Sequence, residues 1–152
     1  MKLFAPFLLS ASLLSASLLL AGPVQAQVTT LSPNVNDTRE TEAQAAANAW
    51  LASFDTGDGA DNWLQSASVF KERVKQDDWQ QKVDDQRRQF GRLKTRTLKG
   101  MGFTRQMDNA PDGEYFVMRY LSTYAKKDNV VEILVPTRDR DGNWKIANYV
   151  AQ

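Results

Sequence analysis

The stretch from Gly113 to Val150 constrains this chain most, because it reads as three consecutive strands joined by two short turns. With Lys127-Asp128 as the first turn, Tyr124 faces Val131, Ser122 faces Ile133 and Tyr120 faces Val135, so apolar residues stand mostly opposite apolar ones. Asp141-Gly142, a preferred hairpin dipeptide, then brings Trp144, Ile146, Asn148 and Val150 to the same face. That face carries Phe116, Met118, Tyr120, Tyr124, Val131, Ile133, Val135, Trp144, Ile146 and Val150. At roughly 1.5 to 3 kcal/mol per fully buried large side chain, it can hold a layer of helices. The opposite face reads Tyr115, Val117, Leu121, Leu134, Ala147 and Tyr149 beside Arg119, Glu132 and Lys145. This is less polar than a solvated face and points to a partner, although scattered surface apolar residues are also ordinary on a small protein.

The chain before this stretch supplies the covering helices. Asp37 followed by Glu40 has capping-box spacing, and Ala43, Ala46, Ala47, Trp50, Leu51 and Phe54 then recur on one helical stripe. Asp55-Thr56-Gly57-Asp58-Gly59 ends that helix. Trp63, Ala67, Phe70 and Val74 give a second helical pattern, which Ser66 and Ser68 mark for a break into two pieces. Asp77 with Gln80 repeats the capping spacing, and Trp79, Val83 and Phe90 form the apolar side of a third helix that stops at Gly91.

Beyond Gly91 the period becomes alternating. Leu93, Thr95, Thr97, Lys99, Met101 and Phe103 fall on one face of a long first strand, interleaved with Arg92, Lys94, Arg96, Leu98 and Gly100. Gly100 and Gly102 permit a bulge, and Pro111-Asp112-Gly113 turns the chain into the second strand. The expected fold is α+β, with N-terminal helices packed on one face of a curved four-stranded antiparallel sheet.

Met1-Lys2, the apolar, serine-dotted segment from Leu3 to Ala21 and the sequence Gly22-Pro23-Val24-Gln25-Ala26 have the organisation of a secretory signal peptide. Cleavage is expected after Ala26, leaving a flexible lead-in over residues 27–36, a single domain over residues 37–152 and a periplasmic protein with no stable membrane anchor. A retained anchor is the alternative, disfavoured because the apolar span ends in a cleavage site and not in basic residues. The chain has no Cys and no His, which removes disulfides, the usual zinc, copper and haem ligands and the common nucleophile–histidine arrangements. No cofactor and no metal is expected. Loss of Lys2 with the signal leaves 18 basic against 18 acidic side chains, and nothing global points to nucleic acid.

Two segments carry a resemblance. Ala49-Trp50-Leu51-Ala52-Ser53-Phe54-Asp55-Thr56-Gly57-Asp58, with Trp63, Phe70 and Trp79 after it, is one. Pro111-Asp112-Gly113-Glu114-Tyr115 with Asp141-Gly142-Asn143-Trp144-Lys145-Ile146-Ala147-Asn148-Tyr149 is the other. Together they are similar to the bacterial domain-of-unknown-function family DUF4019, uncharacterised proteins with exported members and no catalytic residues to carry over. The order of helices and strands also resembles the cone-shaped layer of nuclear transport factor 2 and its relatives. That resemblance implies a pocket between helices and sheet that binds a small ligand or serves only as a core, and dimerisation, frequent among the relatives, through the outer sheet face.

Trp50, Trp63, Tyr120, Ser122, Tyr124 and Asn148 are the residues expected to line such a pocket, and Val117, Leu121, Leu134 and Tyr149 those expected to form a homodimer face. Asp55 and Asp61 stand near the helix ends. No inward strand position carries an acid in this register, so no catalytic residue is assigned, since a general base needs a carboxylate held in the cavity. The expected role is a non-catalytic binding or interaction module, taking a small ligand in the pocket or a protein partner on the outer face. The alternative is a small cofactor-free enzyme, isomerase or hydrolase-like, using pocket Tyr and Asp groups.

Charge offers a further candidate. From Arg87 to Arg105 there are seven basic residues and no acid. The strip suits an anionic envelope component or phospholipid surface, or equally the edge-strand lysines and arginines that block aggregation. Thr137-Arg138-Asp139-Arg140-Asp141-Gly142 superficially matches a calcium loop but lacks its first acid and closing Glu, and is read as a hairpin turn.

Overall fold

The computed structural model describes residues 35–152, so the expected signal peptide lies outside the described residues. The elements are α1 (Val35–Thr56), α2 (Gly59–Leu64), α3 (Ser68–Lys71), α4 (Gln76–Phe90), β1 (Leu93–Thr104), β2 (Tyr115–Tyr124), β3 (Val130–Arg138) and β4 (Trp144–Ala151). The strands form one antiparallel meander in the order β1-β2-β3-β4, so helices followed by a four-stranded antiparallel sheet is the observed architecture.

α1 buries Ala43, Ala47, Trp50, Leu51 and Phe54, the stripe its spacing marks, and ends before Gly57, which takes a φ of 88°. It begins at Val35, two residues before the Asp37 expected to cap it. The second helical pattern does break in two, around a buried Ser66. Asn62, also buried, donates to the Trp50 carbonyl (2.9 Å) and accepts from the Trp79 indole N–H (2.9 Å), tying α1, α2 and α4 through one amide. A Cβ at Gly59 would stand 2.8 Å from the Gln80 Cα, so only glycine permits this approach of α2 to α4. α4 starts behind Lys75, not at Asp77; Asp77 and Asp78 instead supply negative charge to its first turn.

The core between helices and sheet is aromatic. Trp50 stacks on Phe54 with ring centroids 5.5 Å apart, Phe54 lies 4.8 Å from Tyr149, and Phe70 meets Trp79 edge-on at 4.9 Å. Such pairs add about 0.5 to 1.5 kcal/mol each to the burial of their area.

The β2–β3 register differs from the sequence expectation. The connection is the loop 125–129, in which Asn129 takes a φ of 56° and the Tyr124 N–H donates to the Lys127 carbonyl, in place of a two-residue turn at Lys127-Asp128. Ser122 therefore pairs with Val130, Tyr120 with Glu132 and Met118 with Leu134, three residues away from the expected partners. An odd displacement turns every side chain of β3 to the other face. Val130, Glu132 and Leu134 point at the helices, while Val131 and Ile133 point away. The apolar pattern does not decide between the two registers, because β3 is apolar on both faces.

β4 follows expectation only for its first half. Trp144 and Ile146 face the core, but a register shift between Val135 and Pro136 then pairs Val135 with Asn148 and Leu134 with Tyr149. Pro136 has no N–H for the ladder, and a bulge is how an inner strand accommodates it. Tyr149 is buried as a result, whereas Asn148 and Val150, expected inside, are exposed.

β1 shifts register twice, between Leu93 and Thr95 and between Leu98 and Gly100, the second where glycine flexibility is expected. Leu93, Leu98 and Met101 pack inward, and Arg96 points inward to its partners in the core. The exposed pairs Lys94-Thr95 and Lys99-Gly100 occupy outward positions between them. At one end of the outer face Tyr115, Val135 and Ala147 form a second buried cluster with Ala67, against which Val69, Met107, Ala110 and Ile133 pack.

Candidate functional site

The most concentrated chemistry among the described residues is a polar knot built by all four strands around Glu132. Its side chain is wholly buried. One carboxylate oxygen accepts from the Tyr124 hydroxyl (2.7 Å), the Tyr149 hydroxyl (2.6 Å) and Arg96 Nη2 (3.1 Å). The other accepts from Arg96 Nε (2.7 Å) and from the Ser122 hydroxyl. β1 thus sends Arg96, β2 sends Ser122 and Tyr124, and β4 sends Tyr149.

Helices close the knot. Asp55, in the last turn of α1, takes two hydrogen bonds from the Arg96 guanidinium, at 2.7 Å from Nη1 and 3.0 Å from Nη2. Gln86 of α4 donates to the Tyr149 hydroxyl at 2.8 Å. Arg96 is therefore held by two carboxylates in the planar, multidentate manner its fork allows.

The electrostatics follow from this geometry. Burial alone would raise the Glu132 pKa, but the hydrogen bonds and charge of Arg96, with those of Ser122 and Tyr149, hold it below the ordinary carboxylate range. Burial also opposes the charge on Arg96, and its bonds to Asp55 and Glu132 outweigh that and raise its pKa. Burial and the neighbouring Glu132 carboxylate push the Tyr149 and Tyr124 phenols up. Glu132 is ionised and its acceptor sites are filled, and both phenols are protonated. A general base needs the opposite, a carboxylate poised near the working pH with a free lone pair.

Space between the layers is correspondingly scarce. A cavity of about 30 Å³ beside the knot is lined by Phe54, Asp55, Gln86 and Tyr124 among others. That is room for about two waters, against roughly 300 to 1,000 Å³ for a typical ligand site. The wider clefts are open ones, such as the 570 Å³ depression between Thr104, Arg105, Asp112 and Glu114 at the β1–β2 connection. No cluster of acids able to hold a metal ion occurs among the described residues.

Of the residues expected to line a pocket, Trp50, Tyr120, Ser122 and Tyr124 are buried between the layers, but as packing and as donors, not as walls of an open cavity. Trp63 is half-buried, with its indole N–H on the Val74 carbonyl at 2.7 Å. Asn148 lies exposed on the other side of the sheet. Of the residues expected on the outer face, Val117 and Leu121 are there and half-buried, while Leu134 (0 % exposed) and Tyr149 (1 %) belong to the core. Both corrections follow from the register changes in β3 and β4.

The family described as "Protein of unknown function (DUF4019)" matches this chain over residues 46–149. The chain belongs to the DUF4019 family. The DUF4019 match takes in Asp55, Gln86, Arg96, Ser122, Tyr124, Glu132 and Tyr149, every member of the knot. Searches of curated proteins and of solved structures found no match.

Glu132 and Arg96 are the residues that sequence reasoning missed. In the expected register Glu132 is a surface acid and Arg96 one of a basic strip. The available signal was Pro136, whose place in an inner strand demands a bulge, and the unbroken run Val130-Val131-Glu132-Ile133-Leu134-Val135, in which an acid amid apolar residues stands out whichever face it takes.

Proposed function

We propose that this DUF4019 protein is an exported, non-catalytic interaction module that meets its partner through the outer face of the sheet. One observation carries the reading: two adjacent cross-strand rows, Thr97–Leu121–Val131 and Gly100–Arg119–Ile133–Val150, hold aliphatic side chains on the side away from the helices. Among the described residues, the face is covered at its far end, over Tyr115, Val135 and Ala147. The knot around Glu132 supports the absence of catalysis, because its carboxylate and phenols are committed to one another. The apolar segment from Leu3 to Ala21 and the small residues up to Ala26 support export.

The test is site-specific photo-crosslinking in cells producing the full chain. A photoreactive residue at position 121 should give adducts in the extracytoplasmic fraction, and one at exposed position 81 on α4 should not. Equal adducts from both positions, or none from position 121, would overturn the reading.

A further inference from the structure

We propose that the outer sheet face docks on an anionic phospholipid surface. This rests on the reading of that face as the contact surface and names what it contacts. Lys94 and Lys99 are the residues placed at the two β1 register shifts, and both are exposed on the side that carries Arg119, which lies opposite Gly100. Among the described residues, no acid occupies an outward strand position near them.

The ion pairs of the described residues lie away from the open part of this face. Arg39 pairs with Glu114, Arg88 with Asp85, Arg96 with Asp55 and Glu132, Arg138 with Glu42, Arg140 with Glu72 and Lys145 with Asp139. Lys94, Lys99 and Arg119 have no ion pair among the described residues, a lack shared by Lys75, Lys82 and Lys127 on other surfaces, but here the unpaired bases stand beside a row of aliphatic side chains. Their uncompensated positive charge is set around Leu121, Val131 and Ile133, a basic field with an aliphatic centre, which is the composition that adsorbs to an anionic bilayer interface.

Two alternatives fit less well. An isologous contact with a second copy would bring the same uncompensated bases face to face. A protein partner would be expected to find aromatic anchors, and among the described residues the open part of this face presents Val, Leu, Ile, Thr, Asn, Lys and Arg side chains. A lipid surface needs neither shape complementarity nor anchors.

The experiment is co-sedimentation of the processed protein with phosphatidylcholine vesicles, with and without about a third phosphatidylglycerol, at roughly 0.1 M and 1 M salt, where the screening length falls from about 10 to 3 Å. Binding should require phosphatidylglycerol and be lost at high salt. Each basic residue near such a surface is worth about a fivefold change, so the combined Lys94→Gln, Lys99→Gln and Arg119→Gln variant should bind roughly a hundredfold more weakly. Arg73→Gln, Lys75→Gln and Lys82→Gln on the helical side should change binding by far less, and circular dichroism checks that both variants fold. Binding without phosphatidylglycerol, or an equal effect of both variants, would overturn the inference. So would absence of vesicle binding alongside a protein adduct from position 121, which leaves the interaction reading standing.

Discussion

The Tyr149 hydroxyl on β4 donates to the Glu132 carboxylate on β3 at 2.6 Å, with both side chains buried. The bond exists because a bulge at Pro136 turns Tyr149 inward and a loop at 125–129 turns Glu132 to meet it. Tyr149→Phe keeps the ring against Trp50 and Phe54 and deletes only the hydroxyl. It should cost roughly 1.5 to 3 kcal/mol, the range for a hydrogen bond to a charged group, read as a lower urea midpoint with unchanged slope.

Arg96 and Glu132 should show strong coupling. Arg96→Met leaves a buried carboxylate without its cation and should destabilise by about 3 to 5 kcal/mol. Combining it with Glu132→Met should cost far less than the two single changes added together, since the second removes the charge the first exposed. A double-mutant cycle by urea denaturation reads this directly, and strictly additive effects would contradict it.

The two faces of β3 should answer oppositely to charge. Leu134→Arg puts a cation into the aromatic core and should cost more than about 4 kcal/mol, leaving little folded protein. Ile133→Arg, half-buried at the margin of the outer-face cluster, should stay folded with a much smaller loss of melting temperature than Leu134→Arg. The register expected from sequence alone predicts the reverse, so this pair of variants decides between them.

The fold was legible because its signals are local and redundant. The Ala43–Phe54 stripe, the break at Ser66, the stop at Gly91 and the turns at Pro111-Asp112-Gly113 and Asp141-Gly142 each act within a few residues. The knot was not legible, because it depends on pairing between strands. β3 offers Val130 and Leu134 to one face and Val131 and Ile133 to the other, so apolar pattern does not choose. The choice is made by a left-handed Asn129, by a proline without an N–H and by five donors aimed at Glu132 from the other three strands.

Stability should fall at both extremes of pH for identifiable reasons. The folded-state pKa of Glu132 is lowered, so its contribution is present above the unfolded value near 4.3 and is lost as pH falls through the folded value. The folded-state pKa of Tyr149 is raised, so its contribution is full below about pH 10 and is lost as pH rises above that. Urea midpoints against pH should show both losses, with Glu132→Gln flattening the acid limb and Tyr149→Phe the alkaline one.

The claim that the buried carboxylate is structural, leaving the outer face as the working surface, is tested most directly by the ionisation of Glu132 itself. Carbon-detected NMR of the glutamate side-chain carboxyls as a function of pH, with Glu132 assigned by its absence in Glu132→Gln, gives that value. Titration of Glu132 below the ordinary glutamate range near 4.3 is the expected result. Titration raised toward neutrality would mark it as a poised acid or base and contradict the account.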